Sequence, residues 1–282
     1  PLERVGEAGS PAVVDIESVL GVLDRERRST FPGDAEGEVC RDVTRVRGRN
    51  GGWHCIEFSR LDESNAEQVI QEQVEHYRAL GVEVEWKVYS HDTPFDLPQR
   101  LERHGFRVGP RESVVMLDLS QSHPWLAERP RNRVLRVTTA EHLRIFESVA
   151  LQGGGAGRAS IVAALARGIE AGSTDHVGYV AFDADVPASV ARLYTGAAST
   201  FGGLFGAFTL EAHRGRGLYR ATVAERARDA LRLGARQLRV DALPTSEPIL
   251  QRLGFVKVAD TWPCVLAGPV LADPVLADPV QP

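Results

Sequence analysis

Between Gly203 and Ala221 the chain changes its hydrophobic repeat within a few residues, and that switch limits the folds open to it. Gly203–Leu210 (GLFGAFTL) reads as a strand, a helical pattern follows at once, and the join is Arg214-Gly215-Arg216-Gly217. Glycines allow positive φ and let a ligand approach the main chain closely. The first amides of a helix have no internal acceptors, and with the helix dipole they favour an anion. Arg214, Arg216 and Arg220 add positive charge beside them, so the turn suits phosphate, pyrophosphate above all. A P-loop would need Gly-x-x-x-x-Gly-Lys-Ser/Thr, and no lysine follows. A dinucleotide fingerprint would need Gly-x-Gly-x-x-Gly in a parallel βαβ unit. Here Tyr219, Arg220 and Ala221 follow the glycines, and the strands upstream read as an antiparallel meander.

The remaining pattern reads as two α+β units and a tail. In the first unit, Asp15–Arg28 is a helix with Ile16, Val19, Leu20 and Leu23 on one stripe. Val39–Val46 and Trp53–Leu61 are strands joined through Asn50-Gly51-Gly52. Ser64 and Glu67 have capping-box spacing before a helix that runs to Ala79 and stops at Gly81. Val82–Tyr89 is a strand, Pro94–His104 a short helix ended by Gly105, and Arg111–Leu119 a strand. In the second unit, a strand near Arg133–Val137 precedes helices at Ala140–Leu151, capped by Thr139, and Arg158–Ala171. Strands at His176–Asp183, Ser189–Gly196 and Gly202–Leu210 lead to the helix Gly217–Leu233. Gln237–Ala242 is a strand, Ser246–Leu253 a short helix, and Phe255–Leu266 ends in strand.

The units share an ending. Leu97–Phe106 and Pro248–Phe255 are each a short helix closing in Gly-Phe, with a strand before and an apolar strand after. The expected domains are therefore 1–120 and 133–267, joined by a linker at 121–132 that holds Pro124 and Pro130. From 268 to 282 the chain repeats Pro-Val-Leu-Ala-Asp. Proline at that density opposes helix and central strand, so an extended or disordered tail is expected, with a partner-binding extension as the alternative.

Composition narrows the partners. The chain has 282 residues, a formal net charge of −5, and an ordinary 43% hydrophobic content. That balance opposes a duplex-binding protein, which needs a basic face. No run approaches the ~20 apolar residues of a membrane span. Pro1–Ser18 lacks the features of a signal peptide. Cys40, Cys55 and Cys264 show no CxxC spacing, so no metal is expected, and a reducing cytoplasm fits.

Arg214-Gly215-Arg216-Gly217-Leu218-Tyr219 resembles the acetyl-CoA motif of the GNAT acyltransferase superfamily, Gln/Arg-x-x-Gly-x-Gly/Ala, with Tyr219 departing at the last position. The element order of about Arg133–Leu266 is similar as well. The first unit looks like a degenerate copy, because Glu57–Glu67 has no Arg-x-x-Gly turn. The resemblance implies an α+β protein of two tandem GNAT-like domains, each a mixed, mostly antiparallel sheet flanked by helices. It implies an N-acetyltransferase, with acetyl-CoA as acyl donor and a primary amine of a small molecule as acceptor. Cofactor contacts would come from Phe208, Thr209, Leu210, Arg214, Gly215, Arg216, Gly217, Leu218, Tyr219 and Arg220. Phe208–Leu210 would hold the pantetheine arm as an added strand, with an amide near Thr209 or Leu210 at the thioester carbonyl.

The family's tyrosine acid falls at Leu250 and is missing. Candidate catalytic groups are then Glu211, Ser246 and Tyr194, with Asp241 and Cys264 also expected near the cleft. Each has a plainer reading; Glu211, for one, could be a solvated charge. His213 reads as an exposed loop residue, Trp53, Trp86, Trp125 and Trp262 read as core, and Gln152–Gly157 as either a lid or a helix connection. Because the acid is missing, a non-catalytic acyl-CoA sensor or interaction module is the alternative. No nucleic-acid or membrane partner is expected, and the chain is taken as a monomer or homodimer.

Overall fold

A computed structural model describes residues 15–31, 35–49, 53–153, 158–196 and 199–268. The Asn50-Gly51-Gly52 turn, the last four residues of Gln152–Gly157 and nearly all of the proline-rich tail lie outside these residues. In chain order the elements are α1 (Ile16–Ser29), β1 (Ala35–Val39), β2 (Val43–Gly48), β3 (His54–Ser59), α2 (Ala66–Leu80), β4 (Val84–Tyr89), α3 (Leu97–Arg103), β5 (Arg107–Val108) and β6 (Glu112–Asp118). They continue with α4 (Pro124–Ala127), β7 (Val134–Val137), α5 (Ala140–Ala150), α6 (Arg158–Glu170), β8 (His176–Asp183), β9 (Val186–Tyr194) and β10 (Phe201–Thr209). The last are α7 (Leu218–Arg232), β11 (Gln237–Ala242), α8 (Glu247–Arg252) and β12 (Val256–Leu266). Helices and a mixed, mostly antiparallel sheet make this the α+β class that the pattern predicts.

Three local expectations change. Val39–Val46 is two strands, because a tight turn (Cys40 N to Val43 O, 2.9 Å) folds it into a hairpin. The Ser64–Glu67 capping box does not form: Asp62 takes the amides of Ser64 and Asn65 at 2.7 and 3.2 Å, and Ser64 turns its hydroxyl back to Asp62. The segment 121–132 contains α4, whose Trp125 is buried and donates Nε1–H to Leu253 O at 2.9 Å. Trp86 is also core, whereas Trp53 is 48% exposed.

The strands form one sheet in the order β1-β2-β3-β4-β12-β6-β11-β10-β9-β8-β7, with β5 alongside β12. The order at the centre carries the main result. β12, the last strand of the second half, pairs antiparallel with β4 of the first. β6, the last strand of the first half, pairs antiparallel with β11 of the second, and β6 and β12 pair with each other. Each half thus completes its sheet with the other's final strand.

Both long helices pack on this sheet through apolar stripes. α2 sets Val69, Ile70, Val74 and Tyr77 against Ile56, Trp86 and Leu266. α7 presents Val223, Ala224, Ala227 and Ala230 to Leu193, Leu204, Leu238 and Val240. α1 joins the halves: Leu23 packs with Tyr89, Val114, Met116, Phe201 and Val258, and Glu26 accepts from the Thr200 amide at 2.6 Å.

Buried charges accompany the exchange. Lys87 Nζ lies 3.2 Å from both Glu112 and Asp241, and Arg239 donates to Asp241 and to the Tyr89 hydroxyl. Burial pushes the Asp241 carboxyl up, but Arg239 and Lys87 outweigh it and hold that carboxyl well below the usual range.

Candidate active site

The second half contains a split in the sheet. β10 and β11 run parallel and pair only at Phe201–Gln237, Gly202–Leu238 and Gly203–Arg239. Beyond Gly203 they diverge. The register of β10 against β9 also breaks between Phe205 and Phe208, at Gly206 with φ +56°. The pairing of β10 with β11 thus ends at Gly203, six residues before the strand itself ends at Thr209. Exposure follows: Phe201–Leu204 are buried, whereas Gly206 and Ala207 are exposed.

The glycine turn stands at the open end of this split. Gly215 has φ +74° and Gly217 has φ +81°, a conformation glycine takes without strain. Gly217 is the N-cap of α7, and it has no side chain to cap the helix. Among the described residues, no protein acceptor is bonded to the main-chain amides from Gly215 to Arg220. Successive N–H groups in such a turn, ahead of a helix, form a concave anion-binding nest.

Asp183, at the end of β8, pins this loop. It accepts from His213 Nδ1 at 2.7 Å and from Arg216 Nη1 at 2.5 Å. The His213 bond and the Arg216 charge lower its carboxyl pKa. Arg214 Nε donates to Thr209 O at 3.3 Å, and Arg220 is ion-paired to Glu128 at 3.3 Å. The expected phosphate arginines thus ring the turn, but Arg216 and Arg220 already have acidic partners.

The other expected residues scatter. Thr209 is tied to Ser189 by their hydroxyls at 2.8 Å, Leu210 N donates to Ala188 O at 2.9 Å, and Phe208 packs into the core beneath α5 and α6. Leu218 is buried, and Tyr219 lies between α7 and α8 with its hydroxyl facing the Ser246 side chain. Burial raises the Tyr219 pKa, so the group is a neutral phenol at pH 7. Ser246 is the N-cap of α8, just past the β11 side of the split. Glu211 is exposed on a 3-10 turn after β10. Tyr194 is placed apart from both: it pairs with Gly203 across β10 from the split and meets His176 edge-on, ring centres 5.0 Å apart. Six residues of strand separate Gly203 from Thr209, about 20 Å. Cys264 belongs to the first half's core, and Asp241 is clamped by Lys87 and Arg239. Leu250 is fully buried.

The corresponding corner of the first half is filled by the chain itself. β3 and β4 also run parallel, pair at Cys55–Glu85 and Ile56–Trp86, and then part. Arg27 of α1 enters that gap. It donates Nε–H to Glu57 O on β3 at 2.9 Å and Nη2–H to Lys87 O on β4 at 3.4 Å, and it stacks on Tyr89 at 3.8 Å. Asp92 and Asp24 pair with its Nη1. In the turn before α2, the Asp62 carboxylate takes the amides of Ser64 and Asn65. The sequence reading missed Arg27, Asp62 and Asp183. Asp62 carried a local signal, since Asp favours such a turn by accepting from amides two or three residues on.

No family model matches the chain, and no curated protein matches it in sequence. Solved structures do. A GCN5-related N-acetyltransferase from Kribbella flavida matches over 92% of this chain and 96% of its own, at 16% identity and a TM-score of 0.62. A functionally unknown protein from Staphylococcus epidermidis matches over 83% and 95%, at 11% identity and the same TM-score. A tandem GNAT protein from the clavulanic acid biosynthesis pathway matches over 89% of both chains, at 14% identity and a TM-score of 0.52. At these identities the likeness is one of fold: the chain has the tandem fold of the GCN5-related N-acetyltransferases.

Proposed function

We propose that the protein is an N-acetyltransferase that moves an acetyl group from acetyl-CoA to a primary amine of a small molecule, with its single coenzyme site in the second half. The observation that carries this reading is the row of unbonded amides from Gly215 to Arg220 at the mouth of a split strand edge. Those amides would hold the diphosphate, with Arg214 beside them. The β10 edge through Phe208, Thr209 and Leu210 would hydrogen-bond the pantetheine arm.

The donor supplies an activated acetyl carbonyl. The chain's task is then to align the amine, to steady charge on the carbonyl oxygen, and to accept the proton that nitrogen sheds. Glu211 and Ser246 are the candidates that border the split, Glu211 at its open end as a carboxylate that draws in the amine and Ser246 by polar contact.

A non-catalytic acyl-CoA-binding module is the second reading, favoured by the buried leucine at position 250. Calorimetric titration with acetyl-CoA, then a screen of amines for released CoA thiol, separates the two. Binding with turnover supports the transferase. Binding without turnover across a wide panel supports the module, and no binding removes both.

A further inference from the structure

Arg226 is the buried ionic group that the proposed reaction leaves unused. It is 1% exposed on the sheet-facing side of α7. Its Nε donates to Thr222 O at 3.0 Å and its Nη1 to Arg192 O at 3.1 Å, both neutral carbonyls. Its Nη2 has no partner. The groups that act on its charge are Tyr219 on α7, Tyr179 on β8 and Arg192 on β9, and among the described residues no carboxylate is hydrogen-bonded to it; Asp229, one turn along α7, is taken by Tyr179 and Arg136. Burial lowers its pKa to about 10, which leaves it a cation at neutral pH. An unpaired buried charge is costly, and folds dispense with one readily where it has no task.

Its position suggests the task. Arg192 pairs with Phe205, where β10 breaks register and just beyond the last β10–β11 pair. The guanidinium therefore lies under β9, one strand from the closed end of the split. The Arg192 side chain reaches across to β10 at this level: a Cβ at Gly206 would stand 2.8 Å from its Nε. From Leu210 back to Phe205 the strand covers about 16 Å. An extended pantetheine arm, with its phosphates at the glycine turn, brings its sulfur to that level, deeper in the split than the Thr209–Leu210 amides that the sequence resemblance implies for the thioester carbonyl.

We propose that Arg226 is a positioning residue for the leaving sulfur, a positive charge fixed one strand from the split that stabilises the CoA thiolate. This rests on the coenzyme reading above. In the step concerned, the amine lone pair attacks the acetyl carbon and a C–N bond forms. The C–S bond then breaks with its electron pair on sulfur, and the proton shed by nitrogen ends on the thiolate or in solvent. Arg226 lowers the energy of the charged sulfur without touching the acceptor.

The test uses the full chain and CoA itself, so it needs no acceptor. The thiolate of bound CoA is titrated by its ultraviolet absorbance. In the wild type the bound thiol is expected to ionise about one pH unit or more below free CoA. Arg226→Met should return the midpoint to the free value, and Arg226→Lys should keep most of the shift. Arg226→Gln replaces the Met variant if that one fails to fold. Where an acceptor has been found, the neutral variants should lower kcat and leave KM for acetyl-CoA nearly unchanged. An equal midpoint in wild type and neutral variant overturns the proposal while leaving the coenzyme reading intact. No CoA binding by the wild type overturns both.

Discussion

Gly217 combines two demands at one residue: a left-handed φ and an amide in the proposed phosphate nest. Gly217→Asp would strain the backbone and set a carboxylate against the diphosphate. Acetyl-CoA affinity should fall about 100-fold or more, each tenfold being about 1.4 kcal/mol, as read by calorimetry. Unchanged affinity would remove the site. Arg214→Ala should weaken acetyl-CoA several-fold and leave a pantetheine fragment unaffected, because only the former carries phosphate. Equal loss for both would place Arg214 in the fold rather than at the phosphate. The turn itself was legible in sequence, since glycine spacing and helix onset are local. The partners of its arginines were not. Asp183 lies on another strand, and only tertiary pairing brings it to Arg216.

Among the elements, α1 bears on how many coenzymes the proposed function allows one chain. Arg27 bonds carbonyls on both edges of the first split, and Asp62 takes the amides of the turn before α2. Titration should therefore saturate at one acetyl-CoA per chain, and a stoichiometry of two would show that α1 yields. Sequence reading anticipated a degenerate first copy from its missing turn. It could not foresee Arg27 as the filling, because nothing local tells a buried arginine from the many exposed ones. The limits of α2 and α7 were close, within a residue or two, because each ends at a glycine or carries a strong apolar stripe, whereas α3 starts three residues later than expected and α4 was read as linker. Val39–Val46 failed because a hairpin can turn within a run of strand-forming residues.

For the whole molecule, the exchanged strands and the ion cluster bind the halves into one unit. Residues 1–120 and 121–282, expressed separately, should not give two folded domains, as judged by amide dispersion in NMR spectra. Independent folding of both would contradict the strand order. Asp241→Asn leaves Lys87 and Arg239 without their shared carboxylate and should cost about 3–5 kcal/mol of unfolding free energy in denaturant titration. Because the folded carboxyl of Asp241 ionises below the unfolded one, its stabilisation is full above about pH 4 and is lost as pH falls further. The wild type should therefore lose stability on acidification below pH 4, and the Asn variant should lose less over the same range. Two similar halves were visible in the repeated helix-Gly-Phe endings; the crossing of their final strands was not, since pairing partners leave no mark on local periodicity.

That crossing also fixes a timetable for biosynthesis. A ribosome makes β4 and β6 long before β12, so the first half waits with an open seam until residues up to Leu266 have emerged. Its newly made strand edges stay exposed through the synthesis of the entire second half, which makes this chain a natural client for holding chaperones and leaves any prematurely terminated product without a closed sheet.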